Sequence, residues 1–279
     1  MKTIRTLASL LSLAAAALAA EPAISPDRVL PLFDASRLDL SAFETWLVGL
    51  QHADPDRVFT VVDRIDGEPA LRVSGQRWGG IVTKQAFRDY RLTFEFRWGL
   101  LTWGDRKARA RDSGVLLHCQ GRLGAYTDDF KAPWMRSVEY NIIEGGTGDI
   151  ILVGGFEQTG GKRISPTLVA PVAEGTRIYL PGGKSTPIPS GRVFWTHRDP
   201  QWKDELGFRG AKDVERPVGQ WNQCEIECRG GALKFFLNGV LVNGATDGDH
   251  REGRILFQSE GAEIYYRKIL LHPLAAGKP

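Results

Sequence analysis

Short runs of alternating apolar and polar residues, broken by glycine, proline and aspartate, make up most of the chain from Arg28 onward. Along 90–98, Leu92, Phe94, Phe96 and Trp98 fall on one side, and Arg91, Thr93, Glu95 and Arg97 on the other. Successive side chains of a strand point to opposite faces, so this alternation predicts an antiparallel strand with one buried face. Similar runs predict strands at 59–63, 70–73, 80–83, 221–228, 232–237, 240–242 and 263–271. Asn238-Gly239 between two apolar runs predicts a tight hairpin turn. No stretch carries an amphipathic helix longer than a few turns. The pattern predicts an all-β, antiparallel sandwich or jelly roll. Between Asp149 and Gln220 it degrades into Gly/Pro-rich segments that predict a long loop. Phe194 to Trp202 would then supply aromatic and charged groups to the rim of a cleft, or pack the loop down through Trp195 and Trp202.

One stretch departs from the scheme. Ser137 to Asp149 sets Glu139, Asn141 and Glu144 into an apolar strand that ends in the glycine-rich turn Gly145-Gly146-Thr147-Gly148. Glu139 and Asn141 share a face by alternation, and only a local bulge would bring Glu144 round to join them. A half-buried acid is costly unless it is paired or put to use. Arg91 or Arg97 across the sheet could pair with Glu139; alternatively, a carboxylate pair on a sheet floor can move protons at a glycosidic carbon. The turn lacks the lysine and following helix of a phosphate-binding loop. Asp149 there is either a structural carboxylate or, with backbone carbonyls, a ligand for calcium or another divalent metal.

The chain has 279 residues and a formal net charge of +3. Lys2 and Arg5, an apolar run from Leu7 to Leu18 and small residues up to Ala20 predict a cleaved signal peptide over 1–20 and a periplasmic or secreted protein. The apolar run is short for a membrane span, and the charge balance carries no nucleic-acid footprint. Residues 28–274 are predicted to form a single domain, since no linker separates two patterned halves. Of the three cysteines, Cys224 and Cys228 lie four apart on one predicted strand, roughly 13 Å, too far for a disulfide. At most one bridge, involving Cys119, could form; the alternative is three buried free thiols. The five histidines lack zinc-ligand spacing.

Several segments, in order along the chain, resemble a known family. They include 82–92 (Val82-Thr83-Lys84-Gln85-Ala86-Phe87 onward), Asp112-Ser113-Gly114-Val115-Leu116-Leu117-His118, Val138-Glu139-Tyr140-Asn141-Ile142, Gly219-Gln220-Trp221-Asn222, and Gly253-Arg254-Ile255-Leu256-Phe257-Gln258-Ser259-Glu260-Gly261. Together they resemble the 3-keto-disaccharide hydrolase domain family, secreted bacterial β-sandwiches of concanavalin-like, glucanase-related fold. Asp112, His118 and Asn141 stand where many members carry asparagine, arginine and glutamine. The resemblance implies cleavage of glycosides already oxidised to a ketone at C3, supplied by a sugar dehydrogenase. The ketone acidifies the C2 hydrogen, a base removes it, the aglycone leaves from C1, and water adds. Such a reaction needs a base, an enolate stabiliser and an acid. Glu139 is assigned as base, His118 and Asn141 as donors, and Glu260 or Glu144 as the acid. Asp112, Gln258, Lys84, Trp202 and His197 are assigned to substrate binding in the same cleft, on the concave side with the long loops.

Two further possibilities use the same residues. Glu139-x-Asn141-x-x-Glu144 resembles the Glu-x-Asp-x-x-Glu motif of retaining β-glucanases, with the outer glutamates as nucleophile and acid/base. Alternatively, Trp78, Trp103, Trp134 and Trp202 stack on sugar rings in a carbohydrate-binding sandwich without chemistry. Lys84 has a second option in an ion pair with Asp89, and Arg267 is predicted to pair with Glu260. His197 and Arg198 could instead simply lie at the surface.

Overall fold

The computed structural model describes residues 22–33 and 39–274. The predicted signal peptide lies outside the described residues. The chain forms β1 (Leu30–Pro31), β2 (Phe43–Leu47), β3 (Phe59–Ile65), β4 (Glu68–Val73), β5 (Gly79–Thr83), β6 (Phe87–Arg88) and β7 (Tyr90–Thr102), then a 3-10 turn at Gly104–Lys107. Next come β8 (Asp112–Gln120), β9 (Arg136–Ile143), β10 (Asp149–Val153), β11 (Leu168–Val172), β12 (Lys184–Ile188) and β13 (Gly191–Val193). The last strands are β14 (Asn222–Arg229), β15 (Ala232–Leu237), β16 (Val240–Ala245), β17 (Glu252–Ser259) and β18 (Ala262–Pro273).

Two antiparallel sheets face each other. The first runs β16-β15-β14-β7-β18-β4-β3, with β1 on β18; the second runs β13-β10-β9-β8-β17-β5-β2, with β6 on β17. β11 and β12 form a separate ribbon. This is the predicted all-β, concanavalin-like sandwich, and among the described residues no helix is long and apolar enough to cross a membrane.

Alternation builds the core. Leu92, Phe94, Phe96 and Trp98 of β7 are all buried, as predicted. Phe94 meets Tyr140 and Phe257 of the opposite sheet and Tyr266 of its own, with ring centroids 6.1, 6.1 and 5.9 Å away. Fully burying one such ring contributes about 1.5–3 kcal/mol. The predicted hairpin joins β15 to β16, with Asn238 and Gly239 at φ 50° and 82°. Two successive left-handed residues match the twist of the flanking strands, which is why Asn-Gly is favoured there.

The stretch 149–220 differs from its prediction as one long loop. It contains β10 to β13, and two of these, β10 and β13, extend the second sheet beyond β9. Their apolar runs are too short to stand out in the sequence, and they are completed by pairing with a strand already in place. The thiols of Cys119, Cys224 and Cys228 are free and buried.

Candidate active site

Strand register places the polar residues. Pairing sets Glu139 opposite Leu116 of β8 and Ile151 of β10, and Ile151 opposite Arg192 of β13. In the next row Asn141 lies opposite Gly114 and Asp149. Directly paired residues share a face. Since Val138, Tyr140 and Ile142 fill the core, Glu139, Asn141, Asp149 and Arg192 point outward from the second sheet. On β17, Ile255 and Phe257 face the core, so Gln258 and then Glu260 join them.

Gly114 makes the close approach feasible. A Cβ at this position would collide with Glu139 Oε1 and Gln258 Oε1, so these two side chains lean together over a bare backbone. Asn141 Nδ2 donates to Glu139 Oε1 at 3.1 Å and to Asp112 Oδ1 at 3.2 Å, linking the two acids. Arg106, carried by the 3-10 turn, donates through Nη2 to Asp112 Oδ2 and, at 3.3 Å, to Glu260 Oε1. Two of the clustered carboxylates, Asp112 and Glu260, therefore share one guanidinium. Glu139 itself has no arginine or lysine within ion-pair distance among the described residues.

Burial sets the protonation of the cluster. It pushes Glu139 up to about 8, with the Asp112 charge adding to the shift. Burial also raises Asp112 to about 6, against the pull of Arg106. Glu260 is held well above the ordinary carboxylate range by burial and then by Asp112 and Glu139. Neighbouring acids in a dry site cannot all ionise, and this is how one site comes to hold both a base and a proton donor. Asn141 Oδ1 and Gln258 Oε1 are buried acceptors without a partner. Sugar hydroxyls are donors that would satisfy them.

These groups floor a cavity of about 340 Å³ whose walls include Tyr126, Trp134, Ile151, Arg163 and Arg192. The volume suits one sugar ring and part of a second group. Trp134 also packs beside Trp78, with ring centroids 6.0 Å apart, and Trp78 is 46% exposed outside the cavity.

Several expected site residues lie elsewhere. His118 points into the core: it has φ 53°, and the pairing of β8 with β9 shifts register between Leu117 and Gln120. This bulge reverses the alternation that would have turned His118 outward. Its ring packs on Tyr90 (centroids 5.6 Å apart), Nδ1 lies 2.8 Å from His250 O, and burial lowers its pKa to about 4. Glu144 does not join Glu139. Its carboxylate accepts from Arg111 Nη1 at 2.7 Å, Arg111 N at 2.9 Å and Gly207 N at 2.8 Å, which holds a loop. The Glu139/Glu144 pair of the glucanase-like motif is therefore not assembled.

Lys84 lines a separate recess of about 780 Å³ with Gln85, Gln120, Glu252 and Arg254. That recess is larger, but it contains none of the three clustered acids. Its alternative partner Asp89 accepts instead from Gly230 N at 2.7 Å. Trp202 packs down the 194–208 segment, donating to Glu144 O at 2.9 Å beneath the Arg198 guanidinium, 4.0 Å from its ring centroid. His197 borders a third recess with Asp199 and Lys212. Arg267 belongs to the other sheet and pairs with Glu95 at 2.5 Å, not with Glu260. Arg91 and Arg97 likewise pair on that sheet, with Glu225 and Asp66.

The buried Asp149 carboxylate accepts from Trp195 N at 2.7 Å and faces Arg192 at 3.2 Å and Arg198 at 3.6 Å. Two guanidinium groups occupy the place a calcium ion would need. Among the described residues no group of three or more His, Cys, Asp or Glu side chains is arranged to hold a metal.

Arg106, Tyr126, Trp134, Arg163 and Arg192 complete the site and were not assigned from sequence, apart from Trp134 as a stacking residue. The one local signal was the alternation Arg192-Val193-Phe194-Trp195, in which Val193 and Trp195 are buried.

The fold is an antiparallel, concanavalin-like sandwich, and the outward face of its second sheet carries a cluster of acids that burial keeps above the ordinary carboxylate range. The chain belongs to the family described as the 3-keto-alpha-glucoside-1,2-lyase-like domain, which matches residues 30–272. Among solved structures, one from Parabacteroides distasonis, described only provisionally as a glycosyl hydrolase, is 15% identical over 89% of this chain and 95% of its own, with TM-score 0.49. A Bacillus subtilis protein of unknown function with a galectin-like fold is 10% identical over 90% and 97%, with TM-score 0.45. The carbohydrate-binding module CBM66 of Bacillus subtilis is 11% identical over 82% and 93%, with TM-score 0.40. No curated protein matches the chain.

Proposed function

We propose that the protein cleaves 3-keto-glycosides by elimination, with Glu139 as the base that removes the C2 proton and Glu260 as the acid that protonates the departing aglycone oxygen. One observation carries this assignment: Glu139 is buried without a cation partner and is held at about 8. A carboxylate at its ordinary value is a weak base toward a carbon acid. Raised proton affinity near the working pH gives proton transfer a better driving force. Glu260, held well above the ordinary carboxylate range by burial and by the charges of Asp112 and Glu139, supplies its proton to the leaving group. The C2–H electron pair forms a C2=C3 bond as the ketone becomes an enolate. The enolate then reforms the carbonyl, C1=C2 forms, and the C1–O bond breaks. Water adding across C1=C2 completes a net hydrolysis. Asn141 steadies both Glu139 and Asp112, and Gln258 Oε1 accepts from a sugar hydroxyl.

The substrate is a sugar that a dehydrogenase has oxidised at C3, and the signal peptide predicted over residues 1–20 supports a reaction in the periplasm or outside the cell. The intact mass of the protein recovered from its native host tests the leader, with loss of about twenty residues expected.

The reaction is tested with a 3-keto-glucoside carrying deuterium at C2, the unoxidised parent, and the variant Glu139→Gln, with products followed by mass spectrometry. Aglycone release from the keto form alone, with deuterium loss and a drop of about 10²–10⁴-fold in the variant, is expected. Equal turnover by the variant would exclude Glu139 as base. Cleavage of the parent would point to ordinary glycoside hydrolysis, and sugar binding without cleavage to a binding module.

A further inference from the structure

With His118 turned into the core and the Asn141 amide donating to Glu139 and Asp112, the enolate stabiliser required by the proposed reaction is missing from the residues assigned so far. We infer that Arg192 fills this role, and that Asp149 is the positioning residue that aims it. The inference rests on the proposed 3-keto-glycoside chemistry and goes beyond it by naming the group that receives the negative charge.

Register provides the first argument. Arg192, Ile151 and Glu139 stand in one row across three neighbouring strands and face the same side. Adjacent strands lie roughly 4.8 Å apart, so the Arg192 and Glu139 backbones are separated by about 10 Å, a gap two long side chains can close around a sugar ring. Between them Ile151 offers an apolar floor at the bottom of the cavity. A ring seated there would present C2–H to Glu139 and the adjacent C3 oxygen toward the guanidinium.

The second argument is an account of donors. Arg163 and Arg192 are the arginines that line the cavity. Both terminal nitrogens of Arg163 are engaged, donating to Tyr126 O and, at 2.9 Å, to Gly154 O. Among the described residues Arg192 makes a single hydrogen bond, from Nη1 to Asp149 Oδ2 at 3.2 Å, which leaves Nε and Nη2 as donors. Arg106 is already committed to Asp112, Asp204 and Glu260.

The third argument is rigidity. Asp149 is fully buried, and Trp195 N donates to its other oxygen at 2.7 Å. A carboxylate fixed in this way holds one edge of the guanidinium and leaves the rest free to meet a developing oxyanion, with little reorganisation during the reaction. Arg198, 3.6 Å from Asp149, would still neutralise this carboxylate if Arg192 were removed.

In the proposed step Arg192 forms no covalent bond. As the C2–H pair moves into C2=C3, the former carbonyl pair settles on the C3 oxygen and is met by N–H donors from the guanidinium. When the carbonyl reforms, that charge passes to the aglycone oxygen, which takes its proton from Glu260.

The test compares Arg192→Ala and Arg192→Lys with wild type on a 3-keto-glucoside, with separate kcat and KM and the rate of C2 deuterium loss. Loss of one oxyanion donor typically lowers kcat about 10²–10³-fold, and this is expected for Arg192→Ala with KM changed less than about fivefold, since the charge develops only in the transition state. Arg192→Lys keeps the charge but not the fork, and is expected to lose at least about tenfold. Free guanidinium added to Arg192→Ala is expected to restore part of kcat, which a merely structural role would not produce. If Arg192→Ala fails to fold, Arg192→Lys alone decides. Wild-type cleavage with either folded variant within about threefold in kcat overturns the role of Arg192 and leaves the reaction standing. A wild-type protein that neither releases aglycone nor exchanges C2 deuterium overturns both.

Discussion

The two sheets are built from the same alternation, yet they treat their outward faces differently. Along β7 of the first sheet buried and half-buried positions alternate, and the outward acids are neutralised on the surface: Glu225 by Arg91 at 2.8 Å, Glu95 by Arg267 at 2.5 Å. Along β8 and β9 of the second sheet nearly every residue is buried on both faces. Loops and short strands cover this outward side, with Trp134 and Met135 packing on Leu116, Val153 and Leu256. Acids placed there lose water, and Glu139 has only an amide beside it. Covering, more than the identity of the residues, separates an acid that stabilises a surface from an acid that can take part in chemistry.

The strongest perturbation of this contrast is to unpair a buried charge on the second sheet. Glu144→Ala leaves Arg111, whose side chain is 9% exposed, without its carboxylate, and is expected to cost about 3–5 kcal/mol in chemical denaturation. A cost below about 1 kcal/mol would show that this face is wetter than its packing implies. Next in size is Gly114→Ala. The added methyl would meet Glu139 and Gln258, so a loss of about 1–3 kcal/mol is expected, together with a fall in activity as Glu139 is displaced. Unchanged kinetics would contradict the close approach over Gly114.

A pH series sharpens the comparison. Burial raises Glu139 to about 8 and Asp112 to about 6 in the folded protein. The folded state therefore binds protons that the unfolded chain releases near its ordinary carboxylate values. The resulting stability is complete at pH below the unfolded values and is lost as pH rises through about 6 and then about 8. Stability, followed by thermal midpoints, should fall across that window, with Glu139 contributing on the order of a few kcal/mol, and Glu139→Gln should flatten the slope. A flat profile in wild type would remove the dry-face explanation. The smallest effect belongs to the first sheet: Glu225→Ala should cost about 0–1 kcal/mol and leave kcat unchanged, as read by denaturation and kinetics.

Much of this was legible in the residues. That Glu139 and Asn141 share one face followed from alternation, because the period of a strand is a local property. The displacement of His118 could not be read, since one bulge residue reverses the count and its presence depends on how β8 pairs with its neighbours. Glu144 was similarly obscured: its face depended on the turn beyond β9, and its partner Arg111 lies 33 positions away.

By itself the sequence determined the antiparallel sandwich, the tight Asn238-Gly239 turn, the shared face of Glu139 and Asn141 and the family to which the chain belongs, all consequences of short-range periodicity and ordered motifs. Only the tertiary structure decided that Asp112 and Glu260 share Arg106 while Glu139 beside them has no cation, that Arg192 stands across Ile151 from Glu139, and that the whole face is dry. Those properties arise from pairing between distant strands and from loops folding back over a sheet. The energies that fix them are summed over contacts that no local pattern records.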